Sequence, residues 1–522
     1  MKILLITGKL AEGSVRRKVS ASGHDVDVRS LSVSVAAFIT PERAAEALGD
    51  LARGDYDMVL LPGIVRGDVS PVEEAIGIPT FKGPTNADDL PLVLELLEEI
   101  ELSKTESASG LIRDFRRQRA VSELEEVERN WREILEAEGG MVVGGEGREV
   151  PIGRGFPMRV IAEIVNAPTL TIVSVEDRAR YYEAEGADII DIGMLAGKPH
   201  PEAVGELVRA VRSAASLPVS IDTLDPSEIE AAADARVDLV LSVDRGNMEE
   251  VAPYVSEIPV VVLPSDMRQG FLPKGAEERV AFLMENIQAA RDLGIEKIIA
   301  DPVLEPAVKP GLLESLRAYR LFRREDPSTP VLYGLGNVTE LIDADSTGVN
   351  GLLTALASEV EANLLFIPEY SAKARGSVRE TAQAARMMFL AGRRERPPKD
   401  LGVDLLVLKE KRWTEAPYDS SAEEGVKVLE AKGEGELELD RLGWFKIQVD
   451  RKRALIIATY FKDSNGPHLI VKGLDAREIY QTIIREGLIG KYDHAAYLGK
   501  ELAKAELALR LGRSYRQDEP LF

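Results

Sequence analysis

The chain has 522 residues, 45% of them hydrophobic and only 5% aromatic, enough to build several cores of mainly aliphatic side chains. Its 88 acids against 65 bases leave a net charge of −23, a field that disfavours phosphate backbones and anionic lipid surfaces. It has no cysteine and only 4 histidines, which excludes disulfides, thiolate metal sites and cysteine nucleophiles. Catalysis then falls to carboxylates, amides and an external cofactor. No apolar run reaches the length of a membrane span, and residues 1–8 read as a first strand rather than a signal peptide. The expectation is a soluble cytoplasmic protein with no nucleic-acid or membrane partner and no metal.

Residues 1–103 alternate short aliphatic runs with helix-period stretches. The runs at 3–7, 25–28 and 58–62 predict parallel strands, 41–51 and 92–99 predict helices, and together they describe an open α/β domain. The loops 61–68 and 80–85 carry glycine and proline but no GxGxxG or P-loop pattern, so they read as turn chemistry. Residues 104–157 read as a charged helical connector. Its arginines Arg113, Arg116, Arg117 and Arg119 are expected on a solvated face, and the glycine pairs at 139–140 and 144–145 as a hinge.

From 158 to 393 strand-like runs recur at 158–165, 188–192, 219–222, 239–243, 260–263, 297–300, 331–334 and 364–368. Each precedes an amphipathic stretch, and eight such βα repeats predict a closed (β/α)8 TIM barrel. Residues 394–522 predict a small C-terminal α/β module, with strands at 404–408, 445–449 and 454–460 and helices at 476–486 and 495–511.

Barrel chemistry sits at the carboxyl ends of the strands. Asn166, Asp191, Asp222, Asp244, Asp301 and Asn337 stand there. Ionised carboxylates only accept hydrogen bonds, whereas amides both donate and accept, a combination suited to an amino-pyrimidine edge. Asp225 reads as a helix cap and Asp244 is open to either reading, while Asp222 and Asp301 directly end aliphatic strands and read as functional. The deepest pocket is expected at this face, lined by Asn166, Asp191, Asp222, Asp301 and Asn337.

Glu185-Gly186-Ala187-Asp188-Ile189-Ile190-Asp191-Ile192-Gly193 resembles the second-strand motif of dihydropteroate synthases. Val219-Ser220-Ile221-Asp222-Thr223 and Ile298-Ile299-Ala300-Asp301-Pro302 resemble their third- and sixth-strand motifs, whose aspartates hold the pterin. Ile164-Val165-Asn166-Ala167-Pro168 is similar to the first-strand loop. Gly334-Leu335-Gly336-Asn337-Val338 is closer to the related methyltransferases, which use an asparagine near the pterin N5. The whole architecture resembles the archaeal dihydropteroate synthase-related proteins. Their terminal motif is matched by the stretch that opens Tyr492-Asp493-His494, where His494 is open to a capping or packing role.

The resemblance implies a reduced pterin as ligand, of tetrahydromethanopterin or folate type, bound by Asn166, Asp191, Asp222, Ser242, Asp301 and Asn337. Ser242 or Asp244 replaces the fourth-strand asparagine of the synthases. Val338 stands where they carry lysine, and Phe366-Ile367-Pro368-Glu369-Tyr370 where they carry Arg-x-His. Those cations hold the leaving pyrophosphate, and Lys373 and Arg375 are the candidates to replace them. Three functions follow as expectations. The first is one-carbon (methyl) transfer with Asn337 as the catalytic amide and a corrinoid supplied by a partner protein. The second is condensation of the dihydropteroate synthase type. The third is a non-catalytic pterin carrier or assembly subunit. A homo-oligomer is compatible with each.

Overall fold

The computed structural model describes residues 1–410, 418, 420–431 and 439–522; parts of the C-terminal module, 411–417, 419 and 432–438, lie outside the described residues. The chain forms two compact units. Met1–Val338, Thr347–Ile367 and Val378–Leu405 make the first, and Thr339–Ser346, Pro368–Ser377 and Leu406–Phe522 the second.

The first unit opens with a parallel sheet of β1 (Lys2–Gly8), β2 (Asp25–Leu31), β3 (Met58–Leu61) and β4 (Thr80–Lys82), in the order β2-β1-β3-β4. Strand β1 is a continuous apolar run from Ile3 to Ile6 because both of its faces are covered: Leu4 and Ile6 enter one core, Ile3 and Leu5 another. The loop glycines serve close packing, in keeping with the turn reading. A Cβ on Gly63 would stand 2.3 Å from the Gly83 carbonyl oxygen.

Three helices follow, Ala108–Leu111, Arg113–Arg129 and Trp131–Glu138. Arg113, Arg117 and Arg119 are exposed as expected, but Arg116 is not. It lies on the helix face that buries Ala120 and Val127, and its guanidinium meets the buried Asp89 at 2.9 Å. The glycine pairs do not form a hinge. They frame an antiparallel hairpin of β5 (Met141–Val143) and β6 (Val150–Ile152). Val143 and Ile152 are fully buried in one cluster with Ile161, Ile189, Leu239 and Val261, so the hairpin packs against the barrel interior.

The barrel strands are β7 (Arg159–Ile164), β8 (Ile189–Gly193), β9 (Val219–Asp222), β10 (Leu239–Val243), β11 (Val260–Val262), β12 (Ile298–Ala300), β13 (Leu332–Tyr333) and β14 (Leu364–Pro368). Their order is β12-β11-β10-β9-β8-β7-β14-β13, and a parallel bridge between Ala300 and Val331 joins the two ends. The predicted barrel is therefore closed. Strand alternation sorts its side chains. Val160, Ala162, Ile190, Ile192, Val219 and Ile221 belong to the core shared with the surrounding helices. Ile161, Ile189, Leu239 and Ile299 fill the interior.

In the second unit β15 (Trp444–Asp450), β16 (Leu455–Phe461) and β17 (Leu469–Gly473) form an antiparallel sheet. Phe445, Ile447, Ile456 and Ala458 pack with Ile479, Ile483, Leu498 and Leu502 of the helices Ala476–Arg485 and Tyr492–Arg510. The strand expected at 404–408 does not form. Leu406, Val407 and Leu408 are exposed, so no burial draws that run into a sheet. Strand β17, unforeseen in the sequence, is short and completes the sheet through its pairing with β16.

Candidate active site

The same alternation that fills the barrel interior places acids above it. Two residues beyond the interior Ile161, Ile189 and Ile299 stand Glu163, Asp191 and Asp301, and two beyond Ser220 stands Asp222. Strand register sets Glu163 beside Asp191, Asp191 beside Ser220, and Gly193 beside Asp222. Gly193 is needed for this arrangement, because a Cβ there would lie 2.1 Å from Oε1 of Glu163.

Three of these carboxylates each accept a hydrogen bond from a hydroxyl. Ser220 Oγ donates to Asp191 Oδ1 at 2.6 Å, Ser242 Oγ to Asp222 Oδ1 at 2.5 Å, and Tyr319 Oη to Asp301 Oδ1 at 2.8 Å. Ser242 reaches Asp222 from a break in the β10–β11 register with φ of 69°, a left-handed backbone that serine seldom adopts. The buried Asn247 holds it there, donating from Nδ2 to the carbonyls of Ser242 and Leu224, each at 3.1 Å.

Burial dominates the electrostatics. Asp191 is wholly buried, and its Oδ2 has no hydrogen-bond partner among the described residues. Burial, then the charges of Asp222 and Glu163, drive its carboxyl well above the usual range. Burial also raises Asp222, against the Ser242 hydrogen bond. Asp301 is pushed up to about 6 by burial, with the hydrogen bonds from Tyr319 and Val303 N and the Arg279 charge pulling the other way. Asp222 ends β9 and Asp301 directly follows β12, so these parallel strands carry both acids to the same end of the barrel, and the charge of Asp222 raises Asp301 further.

The turn after β12 organises the far side of this mouth. Val303 N donates to Asp301 Oδ1 at 2.8 Å, while the fully buried Arg279 donates to Val303 O at 3.0 Å and meets Glu305 at 2.5 Å. Ser315 Oγ accepts from Glu305 N at 3.0 Å. Leu304 O accepts from Asn337 Nδ2 at 2.8 Å, which leaves Oδ1 as the acceptor end of that exposed amide. Asn337 is thereby tied to the same turn as Asp301.

Asn166 follows β7 with φ of 52° and starts the turn Ala167–Thr169 through its carbonyl, with no side-chain cap. Asp225 caps the helix Pro226–Asp234, as expected. Asp244 takes the structural reading: its carboxylate accepts from Gly246 N in its own loop and from Ser265 Oγ and Met267 N, and so ties the loop after β10 to the loop after β11. In the second unit, Lys373 Nζ donates to the carbonyls of Thr339 and Ile342, and Arg375 is exposed. His494 is buried, with Nδ1 3.0 Å from Asp440 Oδ2. Asp440 also accepts from Leu442, Gly490 and Lys491 N–H, which together with the His494 bond hold its carboxyl down at about 2 against its burial. His494 thus braces its module.

Sequence reasoning passed over Glu163, Ser220, Arg279 and Tyr319. The i+2 spacing from Ile161 was a usable signal for Glu163; Arg279 and Tyr319 arrive on helices and carried none. The sizeable cavity also lies elsewhere than expected. It measures about 770 Å³ and opens at the amino end of the barrel, lined by Ile134, Arg154, Phe156, Met158, Glu361 and Met388. None of the candidate acids or amides lines it.

The model of the family described as pterin binding enzyme matches residues 171–352. The uncharacterized protein MJ0107 of Methanocaldococcus jannaschii is 41% identical over 533 residues, spanning 100% of this chain and 99% of that protein. The chain belongs to this archaeal family of dihydropteroate synthase-related proteins. Both ends of this family member match models of their own, a family of unknown function (DUF6513) over 1–85 and PterinBD-DUF4346 over 439–518. Among solved structures, dihydropteroate synthase from Xanthomonas albilineans in complex with 7,8-dihydropteroate is 23% identical, covering 47% of this chain and 95% of that one, with a TM-score of 0.38. The Yersinia pestis dihydropteroate synthase with a sulfonamide drug complex is 16% identical, covering 48% and 97%, with a TM-score of 0.38. No helix among the described residues is long and apolar enough to cross a membrane.

Proposed function

We propose that the carboxyl mouth of the barrel binds a reduced pterin, of tetrahydromethanopterin or folate type, and serves one-carbon (methyl) transfer from it. The observation that carries this reading is the pairing of Asp222 and Asp301, each with Oδ1 engaged by a hydroxyl. Two such carboxylates facing one mouth present acceptors to the amino and ring N–H donors of a pterin edge. Ser242 holds Asp222 in place, Asp191 lies beneath it, and Asn166 borders the mouth.

Departure of a methyl group from N5 leaves the electron pair on that nitrogen, and protonation of N5 makes it a better leaving group. The Asn337 amide, anchored through Nδ2, offers Oδ1 to an N5–H. The methyl acceptor, a corrinoid in this proposal, comes on a partner protein. The engagement of Lys373 with two carbonyls supports transfer over condensation, since that ammonium is already committed.

Calorimetric titration with a methylated reduced pterin and with a pterin pyrophosphate, on the wild type and three variants, tests this. Asp222→Asn and Asp301→Asn should each weaken binding of the methylated pterin by about 1–3 kcal/mol, with the fold intact. Asn337→Ala should lower single-turnover methyl transfer more than it lowers affinity. Unchanged affinity in both acid variants would exclude the pterin mouth. Preference for the pyrophosphate would replace transfer by condensation, and tight binding with turnover of neither would leave a carrier.

A further inference from the structure

We propose that Tyr319 is a positioning residue for this mouth: with Val303 N–H it saturates Oδ1 of Asp301 and so reserves Oδ2 for the ligand. The inference rests on the pterin reading above and names the residue that prepares its acceptor. Oδ1 receives two donors from two different elements, the phenol of the helix Leu312–Glu325 and the backbone of the 301–303 turn, each at 2.8 Å. A carboxylate held by two donors on one oxygen cannot rotate without breaking both, so its second oxygen keeps one direction.

The surroundings show that the hydroxyl is held for this contact. Tyr319 is 1% exposed, and its ring packs on Tyr333 with centroids 5.0 Å apart. Ser315 lies one helical turn before Tyr319 and meets the same turn through Glu305 N and Arg279 Nη1. Arg279 in turn fixes Val303 O and Glu305. Val303 sits at φ of 68°, an outlying backbone for a β-branched residue, and it is what aims the Val303 N–H back at Asp301. The charged groups acting on Asp301 are Asp222 from β9 and Arg279 from the helix Ala276–Asp292, the latter already paired with Glu305. Tyr319 therefore adds a neutral donor that favours the ionised form without bringing a competing cation into the mouth.

The neighbouring ring supplies a control. The Tyr333 hydroxyl is buried with no hydrogen-bond partner among the described residues, so Tyr333→Phe removes the same atom from the same aromatic pair without touching Asp301. The experiment measures reduced-pterin affinity for the wild type, Tyr319→Phe, Tyr333→Phe and Asp301→Asn between about pH 5 and 8.5. Wild-type affinity should fall as Asp301 protonates. In Tyr319→Phe that midpoint should move up by about one pH unit, with a loss of roughly fivefold near pH 6, approaching tenfold near pH 5, and a much smaller loss at the alkaline end. Tyr333→Phe should follow the wild type. A Tyr319→Phe profile that coincides with the wild type, or lies uniformly below it at every pH, overturns the proposal, the second result marking a packing role. If Asp222→Asn and Asp301→Asn both bind pterin as the wild type does, the pterin reading fails instead. The acid midpoint of unfolding stability in the ligand-free protein then decides the pairing: a midpoint that Tyr319→Phe leaves in place also overturns it.

Discussion

Asp301 shows at the scale of one residue what the mouth demands of the fold. Its carboxyl sits at about 6 in the native protein because burial opposes its charge, against about 3.9 in an unfolded chain. Between those values the native state binds more protons than the unfolded one, so this residue's contribution to stability grows as pH falls through that window and is lost as pH rises through about 6. Asp301→Asn should accordingly stabilise the ligand-free protein at neutral pH by up to about 3 kcal/mol and show little gain near pH 4. Urea unfolding of both proteins at the two pH values measures this. An equal difference at both would show that the charge of Asp301 is not what strains the fold. Asp222 and Asp301 were legible in the sequence because each ends an aliphatic strand. Tyr319 was not, since its 18-residue separation from Asp301 is closed only by packing.

At the scale of elements, aliphatic runs each followed by an amphipathic stretch made the barrel readable, and period-2 alternation along β7 was the signal that would have given Glu163 as well. The connector shows where composition misleads. Glycine pairs at 139–140 and 144–145 looked like slack chain, yet the first leads into and the second lies in the turn of a hairpin whose Val143 and Ile152 are fully buried. Gly144 has φ of 97°, and a Cβ there would lie 2.1 Å from the Arg148 carbonyl oxygen. Gly144→Ala should therefore destabilise the protein by about 1–3 kcal/mol. A thermal midpoint within error of the wild type would restore the hinge. Arg116 makes the same point in charge. Its sequence neighbours suggested a solvated face, and acids distant in sequence, Asp89 at 2.9 Å and Asp400 at 3.8 Å, explain its burial.

For the whole molecule, a net charge of −23 makes the folded chain repel itself. Raising ionic strength from about 0.01 to about 0.15 M should raise the melting temperature, as screening shortens the reach of that repulsion. A flat or falling Tm would mean that the ion pairs outweigh the net field. By itself the sequence determined the eight βα repeats, the open sheet before them, the module after them and the two strand-ending aspartates, because these are written in local periodicity and in residues adjacent along the chain. The tertiary structure alone decided that the barrel closes through Ala300 and Val331, that a hairpin packs against its interior, that Ser242 and Tyr319 reach Asp222 and Asp301, and that Arg279 holds the turn after β12. Those facts depend on contacts between residues far apart along the chain, whose directions exist only once the strands have curled into a ring.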